Sequence, residues 1–163
     1  MNVLQNLLKE QVSIRDLLTV FESLADSGPK TKDTDILTEN VRRALRRNIS
    51  HQLAGGKRNL QVFSLNGAIE ELIAGSLLQT DDGIQIAMDP SYKRGLVEAI
   101  QSKITTNPLI EAQPVLLTTA SSRRPLYRLL NRYIPQLAVL SHSEVSTDLT
   151  VETVDVVEEF NAS

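Results

Sequence analysis

The apolar rhythm of this chain changes once, near residue 58, and that change constrains the fold more than any single motif does. Before it, apolar residues recur at helical spacing: Val3, Leu4, Leu7 and Leu8, then Ile14, Leu17, Leu18, Phe21 and Leu24, then Leu37, Val41, Ala44, Leu45 and Ile49. After it come the β-rich runs LQVFS, IQIAM, PVLLTTA, LAVLS and LTVETVDVV. Helical stretches separate them, from Gly67 to about Leu78, Pro90 to about Thr105 and Arg124 to about Tyr133. Helices alone, followed by strands alternating with helices, predict an α+β fold. A helical subdomain occupies residues 1–57 and an α/β subdomain with a small mixed sheet occupies 58–163.

Local chemistry sets the expected boundaries. Ser13 reads as an N-cap with Asp16 three residues on, and Gly28-Pro29 stops that helix. A third helix starts after Asp33, runs unbroken to about Gln52 and ends at Gly55-Gly56. Asp81-Asp82-Gly83 signals a turn, and Asp89-Pro90 a cap followed by proline in the first helical turn. The tail EEFNAS reads as frayed.

Composition then excludes several classes. Among 163 residues there is no Cys, which removes disulfides and cysteine-based zinc or redox sites. Aromatics are 4% with no Trp, so the core must be aliphatic. No apolar run approaches the roughly 20 residues of a membrane span, and the N-terminus is too polar for a secretory signal. Charge is uneven: residues 1–58 carry ten Lys/Arg against seven Asp/Glu, and residues 59–163 seven against thirteen. That asymmetry points to two parts with different surfaces.

Catalytic patterns are missing. His51 and His142 sit in unrelated segments without metal-ligand spacing, and no nucleophile elbow, phosphate loop or dinucleotide fingerprint occurs. Gly55-Gly56-Lys57-Arg58 follows a helix and reads as a linker; Glu70-Glu71 and Glu158-Glu159 are sequence neighbours, the first pair diverging by about 100° around a helix. The sequence therefore points away from an enzyme and implies no cofactor.

Two arginine clusters remain. Arg42, Arg43, Arg46 and Arg47 fall opposite the apolar face of the third helix, which predicts an outward cationic ridge for nucleic acid, acidic lipid or an acidic protein, or a solvated face. An acidic pI of 5.4, few stacking aromatics and no reader motif argue against nucleic acid. In SSRRPLYRLLNRY, Ser121 or Ser122 is expected to cap a helix with Pro125 in its first turn. Leu126, Leu129, Leu130 and Tyr133 would be buried, with Arg124, Arg128 and Arg132 on the other face. Arg123 and Arg124 beside that helix start would make either an anion pocket or an ordinary strand-to-helix joint; the joint is the favoured reading, with both arginines on an outer surface as candidates for a protein interface.

The stretches VLQNLLKEQVSIRDLLTVFESLAD, KTKDTDILTENVRRALRRNI and PVLLTTASSRRPLYRLLNRYIPQLAVLSHSEV closely resemble, in order, the C-terminal cytoplasmic region of the FlhA/LcrD/InvA family of type III export-gate proteins. The motifs VSIRDL, LTENVR and RPLYRLLNR…LAVLS carry the likeness; Asn40 and His142 stand where the family often has Tyr. The resemblance implies the last two of four cytoplasmic subdomains behind a membrane domain, at the cytoplasmic face of the bacterial inner membrane. It implies a nine-membered ring that receives export substrates, their chaperones and soluble ATPase-complex components, without catalysis. It further places Arg15 and Asp16 at a ring contact, with Arg42, Arg43 and Arg46 available to acidic groups on a neighbour. SIRDLLTVFESLAD and DILTENVR favour the flagellar branch over the virulence branch. The runner-up is a nucleic-acid-binding regulatory domain using the Arg42–Arg47 ridge.

Overall fold

A parallel sheet with a separate apolar core on each face organises the chain. The computed structural model describes residues 2–107, 113–158 and Phe160. In order the elements are α1 (Asn2–Lys9), α2 (Leu17–Ser27), α3 (Thr34–Ala44), α4 (Arg46–Ala54), β1 (Asn59–Leu65), α5 (Gly67–Gly75), β2 (Leu77–Thr80) and β3 (Gly83–Ile86). Then follow α6 (Pro90–Thr105), β4 (Val115–Thr118), α7 (Ala120–Leu130), β5 (Ala138–Ser141), a 3-10 turn (His142–Glu144) and β6 (Thr150–Val157).

Strand order in the sheet is β5-β4-β1-β6, every pair parallel, while β2 and β3 form a separate antiparallel hairpin. The fold class is the expected one, helices first and an α/β unit after. All four residues of β4 are buried, as befits a parallel strand covered on both faces. The final strand, whose direction the sequence leaves open, runs parallel to β1 with a register shift at Val62/Phe63 that leaves Val154 as the extra residue.

One core holds Phe63, Leu65, Leu116 and Val139 of the sheet with Ile69, Ile73, Leu96, Ile100, Leu126 and Leu130 of α5, α6 and α7. The other joins Leu60, Val62, Val115, Leu117 and Leu140 to Val3, Leu7, Val20, Val41, Leu45 and Ile49 of the N-terminal helices. Each fully buried Leu or Ile contributes roughly 2 kcal/mol. Residues 1–57 thus pack directly on the sheet and share its core.

Caps explain most boundaries. Asp33, Asn66 and Asp89 accept backbone N–H bonds at the starts of α3, α5 and α6. Gly55 closes α4 with a left-handed φ of 63°. Gln11 does the same for α1 at φ 60°, with Val12 N–H on the Leu7 carbonyl at 2.9 Å and Gln11 N–H on Leu8 at 3.0 Å.

Several expectations need correction. Asp16, not Ser13, caps α2: its Oδ1 accepts from Thr19 N–H at 3.1 Å and its Oδ2 from the Thr19 hydroxyl at 2.6 Å. The third helix is two, broken at Leu45, whose N–H is shared between the Val41 and Arg42 carbonyls at 2.9 and 3.1 Å. The helix from Gly67 stops at Gly75, and Leu77–Thr80 is strand. Helix α7 starts at Ala120, with Thr119 at its N-cap position, so Ser122 and Pro125 lie inside it. Phe160 is not frayed: its ring lies 4.9 Å from that of Tyr92 and over Gly95, where a Cβ would come within 2.7 Å. The remaining tail residues, Glu159 and 161–163, lie outside the described residues.

Candidate interaction surface

Helix α2 presents three of its apolar residues, Leu17, Leu18 and Phe21, to the outside. Periodicity assigns Ile14, Leu17, Leu18, Phe21 and Leu24 to a buried face, yet Leu18 is 69% and Phe21 51% exposed, with Leu17 exposed beside them. Val20, which is fully buried, anchors the helix, and Leu24 and the preceding Ile14 pack half-buried against the same core as expected. Leu17, Leu18 and Phe21 span about 100° of the helix and form one stripe. Arg15, exposed, stands at its N-terminal end, and Asp16 is occupied as the helix cap. Its carboxyl is held below the ordinary value by the hydrogen bonds from Thr19.

The predicted cationic ridge does not form as four arginines. Arg43, Arg46 and Arg47 are exposed, and Arg47 pairs with Asp148 at 3.2 Å, which His51 also contacts at 3.0 Å. Ser146 and His51 hold the Asp148 carboxyl down at about 2. Arg42 turns inward instead. It is 3% exposed, with Nε 2.6 Å and Nη2 3.2 Å from the Glu144 carboxylate. The break at Leu45 separates Arg42, at the end of α3, from Arg46 and Arg47 on α4.

Nor is the Ser-Ser-Arg-Arg segment an anion pocket. Arg123 is wholly buried; its Nε and Nη2 each donate to Glu39 at 2.7 Å, and Nη1 and Nη2 donate to Glu10 at 2.7 and 3.0 Å. Nη1 also reaches the carbonyl of Val139 at 3.1 Å. The Ala138 N–H bonds inward to Pro114, so Val139 faces the outer edge of β5, and Arg123 closes that edge. Arg124 donates to Glu10 at 2.8 Å, and Arg128 donates to both oxygens of Asp35 at 2.9 and 2.8 Å. Both belong to the inward face of α7; Arg132 and Tyr133 are the exposed residues at its C-terminal end. The Ser122 hydroxyl, expected as a cap, is buried without a partner.

With Arg124 Nε also 3.6 Å from Asp35, these contacts form one network of Arg42, Arg123, Arg124 and Arg128 with Glu10, Asp35, Glu39 and Glu144. It is charge-balanced and crosses from the N-terminal helices to α7 and the turn after β5. Burial is the largest influence on Glu10 and pushes its carboxyl up, but Arg123, Arg42 and Arg124 together hold it below the ordinary value. Burial likewise opposes the Arg123 charge, and Glu39 and Glu10 reverse that, raising it well above normal. Sequence reasoning found Arg42, Arg123 and Arg124 but missed Glu10, Glu39 and Glu144, because charge type alone carries no signal of burial.

Among the described residues no cluster of His, Asp or Glu is arranged to hold a metal ion, and no helix is long and apolar enough to cross a membrane. Glu70 is the one half-buried carboxylate, among the described residues, whose carboxyl burial pushes up, against the hydrogen bonds from Thr118 Oγ1 at 3.0 and 3.1 Å.

Residues 1–150 match the sequence profile of the FHIPEP family. The flagellar biosynthesis protein FlhA of Bacillus subtilis is 37% identical over 156 residues, which is 96% of this chain and 23% of that protein. The chain thus spans about a quarter of that relative. Among solved structures, CdsV in the Chlamydia pneumoniae CdsV and CdsO complex superposes with a TM-score of 0.87 at 33% identity, covering 96% of this chain and 46% of that one. The nonameric EPEC SctV-C gives 0.83 at 33% identity, covering 96% and 47%. A profile match over most of the chain, and a superposition that runs through helices and sheet alike, show that this chain belongs to the FHIPEP family.

Proposed function

We propose that this chain is part of the cytoplasmic portion of a flagellar type III export gate, and that it works by docking instead of catalysis. Residues 1–57 and 58–163 correspond in this reading to the third and fourth cytoplasmic subdomains. The portion assembles as a ring at the cytoplasmic face of the inner membrane and meets export substrates, their chaperones and soluble ATPase-complex components. The flagellar branch is preferred because the curated flagellar relative is the 37% match. Support for a ring comes from the nonameric relative, and support for a soluble partner from the relative solved with CdsO.

The observation that carries this reading is the stripe Leu17, Leu18 and Phe21, exposed on α2 with Arg15 at its end. A second copy of the chain is its occupant. Exposed charge pairs contribute only about 0–1 kcal/mol each, so Arg15, Arg43 and Arg46 tune the contact while the apolar stripe supplies most of its strength.

The test is Leu18→Glu with Phe21→Glu in the membrane-embedded parent. Ring assembly and motility are expected to be lost, while the 163-residue chain keeps its stability within about 0.5 kcal/mol, as surface changes do. Intact rings would refute the reading.

A further inference from the structure

Three distant parts of the chain meet at the β2–β3 hairpin. Asp35 lies in the first turn of α3, Arg128 on α7, and Gly83 opens β3. Arg128 Nη2 grips both Asp35 oxygens at 2.9 and 2.8 Å, while its Nη1 donates to the Ile84 carbonyl at 3.5 Å. Gly83 has φ 103°, and a Cβ there would collide with Arg128 Nη1 and the Asp35 carboxylate. The position therefore needs glycine twice, for its backbone and for the space the ion pair fills.

The hairpin has few other tethers at its tip. Ile86 anchors its base in the core, but Leu78 and Ile84 are exposed, and the tip bond from Thr80 Oγ1 to the Gly83 carbonyl, 2.7 Å, is internal to the hairpin. Helix α3, which begins beside Asp35, packs against α2, the helix that bears the exposed stripe.

We propose that Asp35 and Arg128 make the hairpin a dependent element of α3, so that pressure on the α2–α3 face changes the order of the hairpin. Arg128 acts as a positioning residue: it is held from one side by the α3 carboxylate and holds the hairpin backbone on the other. Because the coupling is reciprocal, a ligand that orders the hairpin also steadies the start of α3. The claim concerns the single chain and stands whether or not α2 is a ring contact.

Hydrogen exchange on the 163-residue chain, at a concentration where it is monomeric, tests it. Asp35→Asn keeps the side chain's size and removes its charge, and protection of amides 78–84 is expected to fall roughly tenfold. Asp33→Ala removes the N-cap of the same helix two residues away and should leave those amides within about twofold. Equal losses in both variants, or none in Asp35→Asn, would overturn the proposal. Should Asp35→Asn prevent folding, Arg128→Gln reads the link from the other side. It must then speed exchange at amides 36–39 of α3, and unchanged exchange there would overturn the proposal as well.

Discussion

Arg123 Nη1 lies 2.7 Å from Glu10 Oε1 across 113 residues of sequence, and both side chains are withdrawn from water. Glu39 completes the grip at 2.7 Å. Taking such charges out of water costs several kcal/mol per ion, so the arrangement is stable only while every partner is present. A network of this kind favours one relative placement of the N-terminal helices and α7.

Arg123→Met is therefore expected to destabilise the chain by about 3–5 kcal/mol, because partly buried Glu39 loses its cation and buried Glu10 keeps only Arg42 and Arg124. Arg123→Lys should lose less, keeping the charge but not the fork that spans two carboxylates. Urea unfolding midpoints measure both. Adding Glu10→Gln and Glu39→Gln to Arg123→Met should recover part of the loss.

Glu70 and Glu10 should respond to pH in opposite senses. The Glu70 carboxyl is raised in the folded chain from the ordinary 4.5, so its ionisation costs stability as pH climbs from that value through the raised one. Glu70→Gln should raise the melting temperature at neutral pH by roughly 2 °C, a modest gain because the carboxylate is half exposed, and leave it unchanged near pH 4. The Glu10 carboxyl is lowered, so its contribution is present above 4.5 and lost as pH falls through the depressed value. Melting scans across this range, on the native chain and Glu70→Gln, separate the two.

Gly95 and Phe160 should behave as a coupled pair. Alanine normally stabilises a helix interior by about 1 kcal/mol over glycine, but here its Cβ meets the Phe160 ring at 2.7 Å. Gly95→Ala should bring little or no gain in the native chain and close to the full amount in a Phe160→Ala background. A double-mutant cycle showing simple additivity would contradict the contact.

Gln11→Gly is expected to stabilise by about 0.5–1 kcal/mol, since Gln11 holds a left-handed φ of 60° that glycine adopts without the steric penalty. Thermal unfolding checks this directly.

What the sequence reveals well is what neighbouring residues decide. The caps at Asp33 and Asp89, the stop at Gly55 and the turn at Asp81–Gly83 follow from side chains next to the backbone they serve. The strand–helix alternation after residue 58 holds as well, apart from the short β2, where an unbroken apolar rhythm hides the change from helix to strand. Arg42 and Arg123 are misread as outward because the carboxylates they hydrogen-bond lie 84 to 113 positions away. Leu18 and Phe21 are misread as inward because periodicity finds an apolar face without saying what covers it. Arg15, Arg43 and Arg46 lie on the outside.

The core shared between the N-terminal helices and the sheet has a consequence for how relatives can exchange parts. Val41, Leu45 and Ile49 find their counterparts in Val62, Leu117 and Leu140. A chimaera spliced at Lys57 would pair leucines shaped by one lineage with a sheet shaped by another, and would need matched repacking before it folded well. Inheritance of these 163 residues as a block is what such a joint favours.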